Sequence, residues 1–164
     1  MSDSPELRLE KKLWTLGALE SAARVWREAN RRIVTTNGCF DVLHWGHIRS
    51  LLEARAMGDV LVCGVNSDRA VKLLKGPKRP LFPENVRLRQ LAALECVDVA
   101  VVFDEETPTR FLEIVRPHVH VKGADYLGKT IPELSVMERW GGEVRFAELV
   151  EGVSTSHILE DAGY

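Results

Sequence analysis

The sequence predicts an α/β fold: a doubly wound, Rossmann-like domain on a five-stranded parallel sheet. Three observations predict it. Short apolar runs rich in β-branched residues alternate along the chain with stretches of helical periodicity. The strands are apolar nearly throughout, as in sheets covered on both faces. Glycine, proline and asparagine punctuate the joints between them.

Taken in order, residues 15–30 read as an amphipathic helix, with Leu16, Leu19, Ala23 and Trp26 on one stripe. Residues 33–36 read as a buried strand that Asn37-Gly38 breaks. A helix is expected from Trp45 or Gly46 to Met57, with Gly58 as its C-terminal stop. Residues 60–65 form the second strand, and 84–94 a helix opened by Pro83 and Glu84. Residues 99–103 are the third strand. The next helix, 107–115, is expected to use Thr107 as N-cap and Pro108 as its first residue. A strand at 118–121, a helix at 132–140, a strand at 144–149 and a last helix from about Ser154 complete the pattern. A chain of 164 residues suits one domain, read as a helical extension over 1–32 packed on a domain over 33–164.

Net charge −2 and the lack of a basic stripe argue against a nucleic-acid or anionic-membrane partner. No apolar run approaches the roughly 18 residues of a membrane span. The polar start, residues 1–12, does not read as a secretory signal. Cys39, Cys63 and Cys96 lie far apart without CxxC spacing, which argues against disulfides or zinc and for a reducing cytoplasm.

Ligands in such folds bind beyond the carboxyl ends of the strands, and the chemistry-bearing segments fall there. Residues 37–47 follow the first core strand and lead into a helix, so free backbone N–H groups and a positive helix end offer a phosphate site. Gly38 allows close backbone approach. His44 and His47 are three apart and share a face, with Gly46 leaving room between them. From spacing alone, phosphate binding, helix capping and metal ligation stay open. Gly152 to His157 carries Ser154, Thr155 and Ser156, small hydroxyl residues that cap a helix and donate to phosphate oxygens alike. Lys75 sits in a Gly/Pro-rich loop, 74–80, that is either solvated surface or a charge beside a phosphate. Arg87 opens a helix, where a cation is mildly disfavoured; it is either a phosphate ligand or an exposed arginine. Lys122 and Asp125 fall just past the fourth strand. Asp41 is either held in the core by hydrogen bonds or part of the site, holding Mg²⁺ indirectly; the site role is favoured.

His44-Trp45-Gly46-His47 resembles the HxGH signature of the nucleotidyltransferase superfamily that includes cytidylyltransferases and class I aminoacyl-tRNA synthetases. Residues 37–47 resemble its small cytidylyltransferase-like branch. Val121-Lys122-Gly123-Ala124-Asp125-Tyr126, with Val65-Asn66-Ser67-Asp68 and Glu151-Gly152-Val153-Ser154-Thr155-Ser156, is similar to the bacterial D-glycero-β-D-manno-heptose 1-phosphate adenylyltransferases, in a stand-alone form lacking a kinase domain. The likeness runs from about residue 13 to 159.

The resemblance implies an HxGH nucleotidyltransferase fold and transfer of AMP from ATP to a sugar 1-phosphate, for lipopolysaccharide or surface-glycan precursors. It implies Mg²⁺, a cytoplasmic homo-oligomer, and catalytic roles for His44, His47 and Lys75. Nucleotide contacts are implied for Asn37, Gly38, Cys39, Phe40, Asp41, Gly46, Arg87, Lys122, Gly123 and Asp125, and β- and γ-phosphate contacts for Ser154, Thr155 and Ser156. Two positions depart from that family: Ala124 replaces its usual glycine, and Trp45 stands where glycerol-3-phosphate cytidylyltransferases also carry tryptophan. Those enzymes have Arg-Thr where this chain has Leu149-Val150, which suits the heptose branch. Cytidylyl transfer to glycerol 3-phosphate is the enzymatic alternative, and a non-catalytic nucleotide sensor the other.

Overall fold

Six parallel strands in the order β1-β4-β3-β2-β5-β6 form the sheet of a computed structural model that describes residues 3–148, Thr155, Ile158, Leu159 and Gly163. The strands are β1 (Leu13–Trp14), β2 (Ile33–Gly38), β3 (Val60–Asn66), β4 (Val99–Phe103), β5 (Val119–Lys122) and β6 (Glu143–Phe146). The five expected strands are present. The sixth, β1, is a two-residue edge strand on β4, so the N-terminal segment contributes to the sheet as well as packing on it. Helices α1 (Pro5–Glu10), α2 (Leu16–Glu28), α3 (Trp45–Ala56), α4 (Asp68–Lys75), α5 (Glu84–Ala92), α6 (Thr109–Val115) and α7 (Pro132–Glu138) connect them.

The core has two halves because the sheet is covered on both faces. On one, Val34, Leu61, Val65 and Val121 pack with Leu51 and Ala54 of α3 and Leu91 and Ala92 of α5. On the other, Ile33, Val62, Val101 and Phe103 pack with Leu19 and Ala23 of α2, Phe111 and Leu112 of α6, and Met137 of α7. The α2 stripe read from the sequence is the one that packs inward, and Thr15 caps the helix by accepting from the Ala18 N–H at 3.2 Å. The chain leaves β2 through β3 and β4 on one side, then returns to β5 on the other. The crevice of a doubly wound sheet opens at that reversal, at the carboxyl ends of β2 and β5.

Three local expectations are corrected. Pro108, not Thr107, stands at the cap of α6; its carbonyl accepts from the Leu112 N–H at 2.8 Å. Lys75 is the last residue of α4, and the loop begins only at Gly76, whose φ of 96° ends the helix. Gly58 does not stop α3 in a left-handed conformation, because Met57 is its C-cap in right-handed geometry. Its glycine is required by a close approach instead: a Cβ there would stand 2.6 Å from both the Arg32 carbonyl oxygen and Val34 Cγ2.

Gly58→Ala is therefore expected to lower the unfolding free energy by about 1–3 kcal/mol. Gly17→Ala, where an added Cβ meets nothing within 4 Å, should raise it by up to about 1 kcal/mol. Urea unfolding of the two variants measures both, and a Gly58→Ala protein as stable as wild type contradicts the close-approach account.

Candidate active site

At the carboxyl ends of β2, β3 and β5 lies a cavity of about 540 Å³, a size suited to a small molecule. Its floor is Thr36 to Asp41, the end of β2 and the turn after it. One wall is Lys122, Gly123, Asp125 and Tyr126 from β5 and its following turn, with Glu133 of α7. The opposite wall is Asn66, Lys75, Arg79 and the stretch 106–108.

The turn after β2 is tight. Phe40 is held at a φ of 47°, a left-handed conformation that a bulky residue adopts only under constraint. A Cβ on Gly38 would stand 3.2 Å from Phe40 Cε2, so that glycine makes room for the ring. The same ring packs on His47, with centroids 5.3 Å apart. His44 is the N-cap residue of α3, but its side chain makes no capping bond. It stacks on His47 instead, with centroids 3.9 Å apart and planes at 25°. The shared face expected from the spacing is therefore formed. His47 lines the cavity, His44 and Gly46 do not, and with the rings in direct contact the room expected between the histidines is not left.

Burial holds both imidazoles below the usual histidine range. His44 is lowered by desolvation, and His47 is pushed down to about 4 by desolvation first and by His44 second. At neutral pH the pair is uncharged, each ring carrying one N–H donor. Nδ1 of each ring is buried without a partner among the described residues. Cys39, on the floor, is a poor nucleophile because burial raises its thiol above the ordinary value.

Three cations line the cavity, and two are already engaged. Arg79 Nε donates to Asp41 at 2.5 Å. Lys122 Nζ donates to Glu133 Oε1 at 2.7 Å and Asn37 Oδ1 at 3.3 Å, and lies 4.5 Å from the Tyr126 ring centre. Lys75 is exposed at the rim and forms no ion pair among the described residues. Of the three, the lysine expected to serve as a point charge is the one without an ion pair among the described residues.

Two expected ligands are corrected. Asp41 is 1 % exposed, and its carboxylate is taken by Arg79 and by the Leu81 and Phe82 N–H groups at 2.7 and 3.1 Å. It lines the cavity and holds the loop after α4 in place, so the hydrogen-bonded role is the one formed, where the sequence favours the role of holding Mg²⁺ indirectly. Among the described residues no three His, Cys, Asp or Glu side chains cluster as a metal site. Arg87 is neither a phosphate ligand nor an exposed arginine. It is fully buried behind the cavity floor, donating to the Phe82 carbonyl at 2.9 Å, the Cys39 carbonyl at 2.6 Å and Asp68 Oδ1 at 2.7 Å. Thr155 lines the cavity and donates to the Val42 carbonyl at 3.3 Å, beside the histidine turn. Ser154 and Ser156 lie outside the described residues.

Sequence reasoning missed Thr36, Asn66, Thr107 and Glu133 as cavity residues. Asn66 and Thr36 were findable, since both stand at or near the carboxyl end of a strand. Glu133 carries no local mark: the pairing with Lys122 joins residues far apart in the chain.

The model of the cytidylyltransferase-like family matches residues 35–161. A bifunctional protein HldE from Syntrophotalea carbinolica is 44% identical over 154 residues, covering 94% of this chain and 31% of that protein. Another from Koribacter versatilis is 49% identical over 142 residues, covering 87% and 29%. The chain thus spans about a third of the length of these relatives. The crystal structure of the lipopolysaccharide core biosynthesis protein from Thermoplasma volcanium GSS1 superposes with a TM-score of 0.62 at 29% identity, covering 74% of this chain and 99% of that one.

Burial of imidazoles also predicts acid sensitivity. His120, stacked in the sheet with Thr35 Oγ1 2.8 Å from its Nδ1, is pushed down to about 3 by desolvation first. Unfolded, His47 and His120 take up protons near the ordinary value of 6.5; folded, they do so only near 4 and 3. Stability is therefore complete above 6.5 and is lost as pH falls through that window. His47→Asn should reduce the slope of unfolding free energy between about pH 6 and 4.5 by close to one proton, about 1.4 kcal/mol per pH unit. Urea titrations at several pH values read this slope; an unchanged slope refutes the buried neutral ring.

Proposed function

Since the chain belongs to the cytidylyltransferase-like family and is a nucleotidyltransferase, we propose that it transfers AMP from ATP to D-glycero-D-manno-heptose 1-phosphate, giving ADP-heptose and pyrophosphate. The observation that carries the chemistry is the stacked His44–His47 pair at the opening of α3, of which His47 lines the cavity; Lys75, at the rim of that cavity, has no ion pair among the described residues. The string from Val121 to Tyr126 on the cavity wall and the HldE relatives support the heptose substrate.

On this reading a phosphate oxygen of the sugar 1-phosphate attacks the α-phosphorus of ATP in line. The bond from α-phosphorus to the oxygen bridging to the β-phosphorus breaks, and that oxygen leaves with pyrophosphate. The nucleophile is already an anion, so no general base is required, and catalysis consists of positioning and charge stabilisation. The neutral imidazole N–H groups donate to the α-phosphoryl oxygens as charge builds. Lys75 supplies a point charge from the rim. Thr155, with Ser154 and Ser156, grips the departing pyrophosphate.

Among the described residues no cluster of His, Cys, Asp or Glu side chains forms a cage for Mg²⁺. Arriving with the nucleotide, the ion would supply charge neutralisation at its phosphates. Trp45 favours a second reading, cytidylyl transfer to glycerol 3-phosphate; it stands beside the histidine pair and is 53% exposed.

Pyrophosphate release, assayed with five nucleoside triphosphates against heptose 1-phosphate and glycerol 3-phosphate, separates the two. Turnover with ATP and heptose 1-phosphate is the expected result, and turnover only with CTP and glycerol 3-phosphate overturns the heptose assignment. His44→Ala and His47→Ala are each expected to lower kcat by about 10²–10³ while the proteins stay folded. Near-wild-type turnover in either variant removes that histidine from the mechanism.

A further inference from the structure

The wall formed by β5 and α7 holds a carboxylate with an unsatisfied oxygen. Glu133 is 2 % exposed and lines the cavity. Its Oε1 is bonded to Lys122 at 2.7 Å, while its Oε2 is buried without a partner among the described residues. Lys122 is immobilised in turn by Asn37 and by the Tyr126 ring. An unpaired buried acceptor is costly unless something donates to it. The lysine neutralises the carboxylate, so a cation is not what the free oxygen lacks. It lacks an N–H or O–H donor, and its residue, Glu133, lines a cavity of small-molecule size.

We propose that Glu133 sets substrate selectivity: its free oxygen accepts a hydrogen bond from a neutral donor on the bound substrate, an exocyclic amine of the base or a hydroxyl of a sugar. This rests on the reading of the cavity as the nucleotidyl-transfer site. An oxo base would set its own acceptor against that oxygen and leave both unpaired, the situation in which polar sites discriminate most strongly. Lys122 is a positioning residue that fixes which oxygen is left free.

The test uses dissociation constants by calorimetry for ATP, inosine triphosphate and heptose 1-phosphate, with KM values from pyrophosphate release. Wild type is compared with Glu133→Gln and Glu133→Leu. Glutamine keeps a bond to Lys122 but replaces the free acceptor with a donor. If the ligand group is an amine, Glu133→Gln weakens ATP on the order of tenfold while inosine triphosphate binds as well or better. If it is a hydroxyl, which also accepts, glutamine is tolerated and leucine weakens whichever ligand carries that hydroxyl on the order of tenfold. The double variant Lys122→Met/Glu133→Leu removes the ion pair as a unit, so loss of folding in the single leucine variant does not obscure the comparison. Constants within twofold of wild type for all variants overturn the proposal. A wild type that binds ATP but releases no pyrophosphate refutes the transfer reading alone, and the dissociation constants still decide Glu133. A wild type that binds none of the three overturns both.

Discussion

Three separate stretches of chain meet on the guanidinium of Arg87, a group with no exposed surface. The turn after β2 reaches it through the Cys39 carbonyl, α4 through Asp68, and the loop after α4 through the Phe82 carbonyl. That same loop is fastened a second time by Asp41, which accepts from Arg79, Leu81 and Phe82. The cavity floor and the segment carrying Lys75 therefore hang on one network of two buried ions. Such ions cost several kcal/mol to desolvate and are tolerated only when every bond is made. Removing either partner leaves an uncompensated charge in the interior, so the network enforces one arrangement of the loops and not a family of them.

Two ion pairs set how charge is distributed in the cavity, one within that network and one outside it. Arg79 is consumed by Asp41 and Lys122 by Glu133, so neither presents free positive charge to a ligand. What remains among the described residues is Lys75 at the rim and the uncharged ring of His47, backed by that of His44. Neutral donors held in place cost no reorganisation when a charge develops beside them, which is the property electrostatic catalysis needs. Excess fixed cations would bind the ground state of a triphosphate as strongly as its transition state, and uniform binding does not raise turnover.

The parts of the fold legible in the sequence were those written in periodicity. The five core strands and the α2 stripe follow from apolar spacing, and the histidine pair follows from its spacing of three on a helix. Strand β1 was not legible because two residues cannot show an alternation; it exists only by pairing with β4. Helix α4 was hidden by the Gly/Pro-rich run that follows it, although Ser67 caps it as a serine should, accepting from the Ala70 N–H at 3.1 Å. The roles of Asp41 and Arg87 were misread for one reason. Burial of a charged side chain is decided by partners distant in sequence, at positions 39, 68, 79, 81 and 82, and no local pattern announces them. Gly58 was misread in the same way, since the approach that demands a glycine involves Arg32 and Val34.

The stacked imidazoles impose a last constraint. With centroids 3.9 Å apart, two charged rings would repel at close range in a partly desolvated place, and burial already disfavours the first proton. The free protein therefore presents the pair neutral. A polyphosphate brought against His47 meets a neutral N–H donor and not a fixed cation. The Nδ1 atoms of both rings are also buried without a partner among the described residues, which is costly for a polar atom. The unsatisfied Glu133 oxygen, on the wall formed by β5 and α7, lacks a donor. A ligand that answers both must carry anionic oxygens at one end and a neutral donor at the other.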